Sequence, residues 1–265
     1  MSPPGRDGFR PDPPPGGWPR SSSNNLGPWV SAHAVAMDRR YRFSRHVYDV
    51  TRRFSLLGRD KLLDKVVTGP ATATLEVGCG TARNLVKLAS RREPGRLYGL
   101  DASHEMLATA ERSVRRAPGG HPGGAGIALR QGLAEDLDAR RMFGCADRFD
   151  TIFFSYCLSM VPAWSDALRA AMANLRPGGV ILIVDFWDQQ DLPAVFAAGL
   201  RRWLARWHAG YRPELHEALI GLGRSGRAEV QIESVARRYA YLATVRPTGS
   251  EQVVAALTAA ETPNR

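Results

Sequence analysis

The chain has 265 residues, 36 Lys and Arg against 26 Asp and Glu, a formal net charge of +10 and 44% hydrophobic residues. That length supports one α/β domain with a substantial core. No apolar run is long enough to span a bilayer, no secretory-type hydrophobic segment opens the sequence, and Cys79, Cys145 and Cys157, without CxxC spacing, argue against a disulfide scaffold or a zinc site.

A cytoplasmic protein is therefore expected. The basic charge has two readings: a solvated arginine-rich surface, or attraction to nucleic acid or an anionic lipid surface. Charge alone does not choose between them.

Residues 1–36 are rich in Pro, Gly, Ser and Asn, as in Pro13-Pro-Pro-Gly-Gly17 and Ser21-Ser-Ser-Asn-Asn25. Little there can be buried, so a disordered tail is expected. Residues 37–70 suit one or two helices forming an N-terminal lid, interrupted near Gly58, with Phe43, Val47, Val50, Phe54 and Leu57 recurring between arginines. From 71 to 246 short apolar runs alternate with helical segments. Strands are expected at 72–77, 96–100, 127–131, 151–155 and 180–184, and helices at 83–91, 105–116 and 164–174. Leu175-Arg-Pro-Gly-Gly179 reads as a helix stop and turn, and 117–125 as a Gly/Pro loop. Two further strands, 230–235 and 239–245, precede a short tail at 247–265. The alternation implies an α/β fold: a mainly parallel sheet with right-handed crossovers and helices on both faces.

The chemistry concentrates in Thr74-Leu-Glu-Val-Gly-Cys-Gly-Thr-Ala-Arg-Asn84 and Leu97-Tyr-Gly-Leu-Asp101. Gly78 and Gly80 let the chain turn sharply and approach a ligand without a Cβ. Asp101 closes the second strand, 21 residues after Gly80, where an acid can accept hydrogen bonds from both ribose hydroxyls. A dinucleotide fingerprint would need a small residue at 83, and Arg83 stands there.

These segments resemble the cofactor site of class I S-adenosylmethionine-dependent methyltransferases, whose pattern is acid-x-Gly-x-Gly-x-Gly. Glu76, Gly78 and Gly80 match it, and Ala82 replaces the last glycine. The resemblance implies a Rossmann-like, mainly parallel seven-stranded sheet with a C-terminal antiparallel hairpin. It implies S-adenosylmethionine as cofactor and S-adenosylhomocysteine as product. It places Glu76, Gly78, Cys79, Gly80, Asp101, Ala102, Met106 and Ser155 around that cofactor. Gln131-Gly-Leu-Ala-Glu-Asp-Leu137 resembles the loop edging the adenine, with Ala134 and Glu135 as its candidates. Phe149-Asp-Thr-Ile-Phe-Phe-Ser-Tyr-Cys-Leu158 resembles the fourth strand and the floor of the active site.

Outside that core, Tyr48-Asp-Val-Thr-Arg-Arg-Phe-Ser-Leu-Leu-Gly-Arg-Asp60, Ser155-Tyr-Cys-Leu-Ser-Met-Val-Pro-Ala-Trp164 and Val184-Asp-Phe-Trp187 are similar to the betaine-lipid (BtaB-type) methyltransferases. That likeness implies three successive N-methylations of diacylglyceryl homoserine, a lipid amine, and a separate enzyme that makes it. An amine attacking a sulfonium methyl must be neutral, which a low-polarity pocket favours by desolvation. Aromatic walls would hold the methylated cation. Tyr48, Tyr156, Phe186 and Trp187 are the candidate walls, and Asp185 a candidate proton acceptor or turn cap. Tyr48, Tyr156 and Asp185 are the catalytic candidates. Arg59, ahead of Arg52 and Arg53, is the candidate for the acceptor's carboxylate.

Phe196, Leu200, Trp203, Leu204 and Trp207 recur at helical spacing with Arg201, Arg202 and Arg206 between them. This stripe suits either a helix packed on the sheet or one lying at an anionic membrane surface, which would make the protein peripheral there. No metal is expected. Competing acceptors are phosphatidylethanolamine, a small-molecule amine or a nucleic acid. Ser155-Tyr-Cys-Leu158 stands where base N-methylating enzymes carry Asn/Asp-Pro-Pro-aromatic, so no nucleic-acid partner is expected. A non-catalytic protein keeping the fold for binding is a further reading.

Overall fold

A computed structural model of the chain describes residues 57–248 except 92, 94, 118–125, 146–147 and 207–209. The expected tails, most of the 37–70 lid, Tyr48, Arg52, Arg53 and Trp207 lie outside the described residues, as does nearly all of the 117–125 loop.

In chain order the elements are α1 (Arg59–Asp64), β1 (Ala73–Val77), α2 (Arg83–Ala89), β2 (Arg96–Asp101), α3 (His104–Arg116), β3 (Ile127–Gln131), α4 (Ala139–Phe143), β4 (Phe149–Ser155), a 3-10 turn (Leu158–Met160), α5 (Trp164–Ala173), β5 (Leu175–Phe186), α6 (Ala194–Arg206), α7 (Pro213–Arg224), β6 (Ala228–Val235) and β7 (Ala240–Pro247). The strands form one seven-stranded sheet in the order β3-β2-β1-β4-β5-β7-β6. Pairing is parallel from β3 through β5, and β7 runs antiparallel to both β5 and β6. The order reverses between β1 and β4, the switch point at which ligands sit outside the strand carboxyl ends.

The alternation within strands sorts the core into two layers. Ile181 and Ile183 of β5 face one side with Phe143 of α4, Leu168 of α5 and Leu215, Leu219 and Leu222 of α7. Leu182, Val184 and Phe186 face the other with Leu62 and Leu63 of α1, Leu85 and Leu88 of α2, Leu107 of α3 and Leu204 of α6. Local caps start the helices: Ser103 Oγ accepts from Met106 N–H at 3.3 Å, and Asp138 Oδ1 from Arg141 N–H at 2.8 Å.

Three sequence expectations change. Residues 175–179 are not a free turn but the start of β5. Leu175 pairs with Phe149, then Val180 with Thr151, so the register jumps across a bulge. Asp150, whose Oδ2 accepts from Ala73 N–H at 2.7 Å and whose Oδ1 pairs with Arg176 at 2.7 Å, extends β4 to Phe149. The stripe on α6 divides: Leu204 is buried, Leu200 and Trp203 are half-buried against the sheet, and Phe196, like its neighbour Val195, is exposed. Helices α4 and α7 are additions. Helix α7 carries a legible signal, Pro213 in its first turn and Leu215, Leu219 and Leu222 on one face.

Candidate functional site

Two lobes of a cleft open at the carboxyl ends of β1, β2 and β4, of about 660 Å³ and about 500 Å³, with Gly78, Gly80 and Met106 as walls common to both. The glycine turn between β1 and α2 separates them. Its backbone is tied to the neighbouring strand: Gly78 and Cys79 N–H both donate to Leu100 C=O, at 2.8 and 3.0 Å. Gly78 has φ +72°, and a Cβ there would lie 2.3 Å from Cys157 Sγ. Gly80 has φ +54° and open space where a Cβ would stand, so conformation and ligand room demand it rather than a protein contact. Ala82 also adopts a left-handed conformation, φ 60° and ψ 22°, which explains why a glycine belongs in the pattern at this position.

Asp101 is engaged before any ligand arrives. Oδ2 accepts from Gly80 N–H at 2.7 Å and Oδ1 from Ser103 N–H at 2.9 Å. An ionised carboxylate has about four acceptor positions, so these two bonds do not exhaust it. Asp101, Ala102, Met106, Ala134 and Glu135 line the larger lobe, together with Val77, Leu100, Gly132 and Leu133. Glu76, Cys79 and Ser155 line the smaller lobe with Thr81, Arg83, Asn84 and Arg59. Glu76 is 2% exposed, and its Oε1 accepts from Asn84 Nδ2 at 2.7 Å. Ser155 Oγ is buried with no hydrogen-bond partner among the described residues. Burial, then the Asp101 and Glu76 charges, push the Cys79 thiol well above its ordinary range, so it is not a thiolate nucleophile.

The acceptor-side candidates separate. The Tyr156 ring lines the larger lobe with Cys157, Met160 and Val161. Its hydroxyl donates to Leu57 C=O at 2.5 Å, and its ring packs 4.7 Å from Phe186, so it is a wall held in place. Asp185 is 1% exposed and lines neither lobe; its carboxylate accepts from Ser159 N–H at 2.9 Å and Phe186 N–H at 2.8 Å. Phe186 is core, between Tyr156 and Tyr239. Trp187 is also away from both lobes: the Arg238 guanidinium lies 4.5 Å over its ring, and His216 packs 5.2 Å away. Arg59 stands beside Glu76 and Arg83, not beside Tyr156. Sequence reasoning missed Asn84, legible as a polar residue in the first turn of the helix after the glycine turn. It also missed Met160 and Val161, which reach the cleft only because the 3-10 turn folds over it.

A zwitterionic amino-acid group with an attached nucleoside suits this arrangement. The smaller lobe offers a buried carboxylate beside two guanidinium-bearing residues and a spare hydroxyl, and the larger offers a carboxylate at the rim of an apolar slot.

A family described as a methyltransferase domain matches residues 69–220. A phosphatidylethanolamine N-methyltransferase from Cereibacter sphaeroides is 32% identical over 146 residues, 53% of this chain and 64% of that protein. A demethylmenaquinone methyltransferase from Geobacillus stearothermophilus is 30% identical over 160 residues, 59% of each chain. The chain spans about three fifths of the length of such curated relatives. An S-adenosylmethionine-dependent methyltransferase from Aquifex aeolicus has the same fold, with a TM-score of 0.51 at 18% identity over 73% of this chain and 92% of that one.

Proposed function

This chain belongs to the methyltransferase-domain family, whose cofactor is S-adenosylmethionine, and from that premise we propose that it methylates the amine of a lipid head group. The observation that carries the acceptor class is the 32% identity to a phosphatidylethanolamine N-methyltransferase. The likeness of segments 48–60, 155–164 and 184–187 to betaine-lipid enzymes narrows the acceptor to diacylglyceryl homoserine, methylated three times.

When bound, the cofactor supplies a methyl group already activated on a sulfonium. The chain's own residues then bind, orient and exclude water. Asp101 takes the ribose hydroxyls while holding Gly80 and Ser103. Glu76 takes the cationic amino group of the methionyl end, and Arg59 its carboxylate; the position of Arg59 beside Glu76 supports this over the acceptor role expected from sequence. Tyr156, Cys157, Met160 and Val161 wall the larger lobe and keep water from it. A lipid ammonium is desolvated on entry, which lowers its pKa so that it gives its proton to solvent at the cleft mouth and enters as the neutral amine able to attack in line. Positioning then provides most of the acceleration.

Among the described residues, no helix is long and apolar enough to cross a membrane. We place the protein at an anionic lipid surface, approached by Val195 and Phe196 at the start of α6, with exposed Arg201 and Arg202 farther along the same helix. A second reading, methylation of a quinol ring, is favoured by the match to the demethylmenaquinone enzyme.

A competition assay decides among them. The protein, S-adenosylmethionine, diacylglyceryl homoserine, phosphatidylethanolamine and demethylmenaquinol are incubated together and the lipids read by mass spectrometry. Mono-, di- and trimethyl homoserine lipid alone is the expected result. Methylated phosphatidylethanolamine or menaquinol instead would replace the acceptor.

A further inference from the structure

Met160 and Val161 reach the cleft from a three-residue 3-10 turn. Its local bonds are few: Met160 N–H to Cys157 C=O at 2.9 Å and Val161 N–H to Leu158 C=O at 3.2 Å. So short a segment does not fix its own position. Beside the buried Leu158 side chain, two long-range bonds hold it. Asp185, at the end of β5, accepts from Ser159 N–H at 2.9 Å. Arg212, immediately before α7, donates to Ser159 C=O at 3.0 Å. Both backbone groups of Ser159 are thus tied to distant parts of the chain, and Ser159 and Asp185 are 6% and 1% exposed. A carboxylate is costly to bury, and this one touches neither lobe of the cleft.

We propose that Asp185 is a positioning residue: with Arg212 it clamps the Leu158–Met160 turn to the end of β5, and so sets the wall that Met160 and Val161 present to cofactor and acceptor. The identity of those ligands rests on the methyltransferase reading; the clamp itself does not.

The clamp is sensitive to pH. Burial raises the Asp185 carboxyl to about 6, against the lowering effect of the Ser159 side chain, then of the Ser159 and Phe186 N–H groups and of Arg212. A proton there weakens the acceptor facing Ser159 N–H and removes a negative charge that attracts Arg212. The other titratable groups on this side are Tyr241, directly across on β7, and His216 of α7, whose ring lies 5.4 Å from that of Tyr241. Burial pushes the Tyr241 hydroxyl far above the physiological range and the His216 imidazole below its ordinary 6.5. Because His216 is also titratable on this side, the assignment is made with variants.

The test is calorimetric titration of the full chain with S-adenosylhomocysteine between pH 5 and pH 8. Wild-type affinity is expected to fall about tenfold from pH 7.5 to pH 5. Asp185→Asn should bind about tenfold more weakly at pH 7.5 and show no further change down to pH 5. His216→Gln should keep the wild-type profile. If Asp185→Asn does not fold, Arg212→Gln decides, with binding several-fold weaker at pH 7.5. The proposal is overturned if a folded Asp185→Asn keeps wild-type affinity and profile, if Arg212→Gln binds like wild type, or if His216→Gln abolishes the pH dependence. Wild-type protein that binds no S-adenosylhomocysteine at any pH would instead overturn the methyltransferase reading.

Discussion

At the Gly78–Gly80 turn the fixing bonds come from the adjacent strand end, Leu100 and Asp101, whereas at the Ser155–Val161 turn they come from Leu57, Val184, Asp185 and Arg212, spread across the chain. The first turn is specified by backbone conformation and one acid. The second is specified by hydrogen bonds from distant parts of the chain, and its wall residues are an aromatic, a thiol, a thioether and an aliphatic side chain. A cofactor common to many acceptors suits the first kind of site, and an acceptor that differs from enzyme to enzyme suits the second.

If that contrast is right, the largest effect should come from Gly78→Ala. The new Cβ would meet Cys157 Sγ at 2.3 Å in a backbone with φ +72°. A loss of about 3 kcal/mol or more is expected, with loss of cofactor binding. Adding Cys157→Gly should recover part of the stability by removing the clash but not the strained φ. Thermal melts of the two variants read this directly, and equal melting temperatures would contradict the clash.

The next effect belongs to the second turn. The ordinary Asp value is 3.8 and the buried Asp185 lies near 6. Its folded-state value is therefore raised. The stabilisation is complete below pH 3.8 and is lost as pH rises through 6, by up to about 3 kcal/mol. Urea unfolding at pH 4.5 and pH 7.5 should show wild type losing more stability than Asp185→Asn over that interval. Parallel curves would remove Asp185 as the cause.

Asp101→Ala should weaken S-adenosylhomocysteine about 30-fold, roughly 2 kcal/mol, since it removes a charged acceptor and frees the Gly80 and Ser103 donors. Near-wild-type affinity by calorimetry would refute the ribose assignment. At the outer surface, Val195→Glu with Phe196→Glu should reduce sedimentation with anionic phosphatidylglycerol vesicles several-fold, and salt should release the wild-type protein. Unchanged sedimentation would contradict the proposed membrane contact of α6. The smallest effect is expected at Ala82→Gly. Relief of a left-handed alanine is offset by a lost buried methyl and a more flexible unfolded chain, leaving a change of about 0.5 kcal/mol or less.

The same contrast explains what could be read from the sequence. The sheet was legible because short apolar runs and glycine turns are local signals, and residues 127–131 form a strand with the expected limits. Glu76, Gly78, Gly80, Asp101, Ala134 and Glu135 could be placed together because each lies at a strand end or in the turn after it. The acceptor side was not legible in the same way. Trp187 follows a strand end as Asp101 closes one, yet Arg238, from the β6–β7 turn, lies over its ring and His216, from α7, packs against it. Asp185 has two readings in the sequence, proton acceptor and turn cap, and only its partners, Ser159 N–H and Phe186 N–H, favour the cap. Nothing in the order of residues announces that Met160 will fold over the cleft.

Methyl transfer to a lipid amine is the central proposal. Methyl-labelled S-adenosylmethionine, supplied to the full chain with vesicles containing diacylglyceryl homoserine, tests this most directly. Label is expected in the lipid phase, rising to three methyl groups per head group. Label that stays in the aqueous phase, in protein that binds S-adenosylhomocysteine, would contradict it.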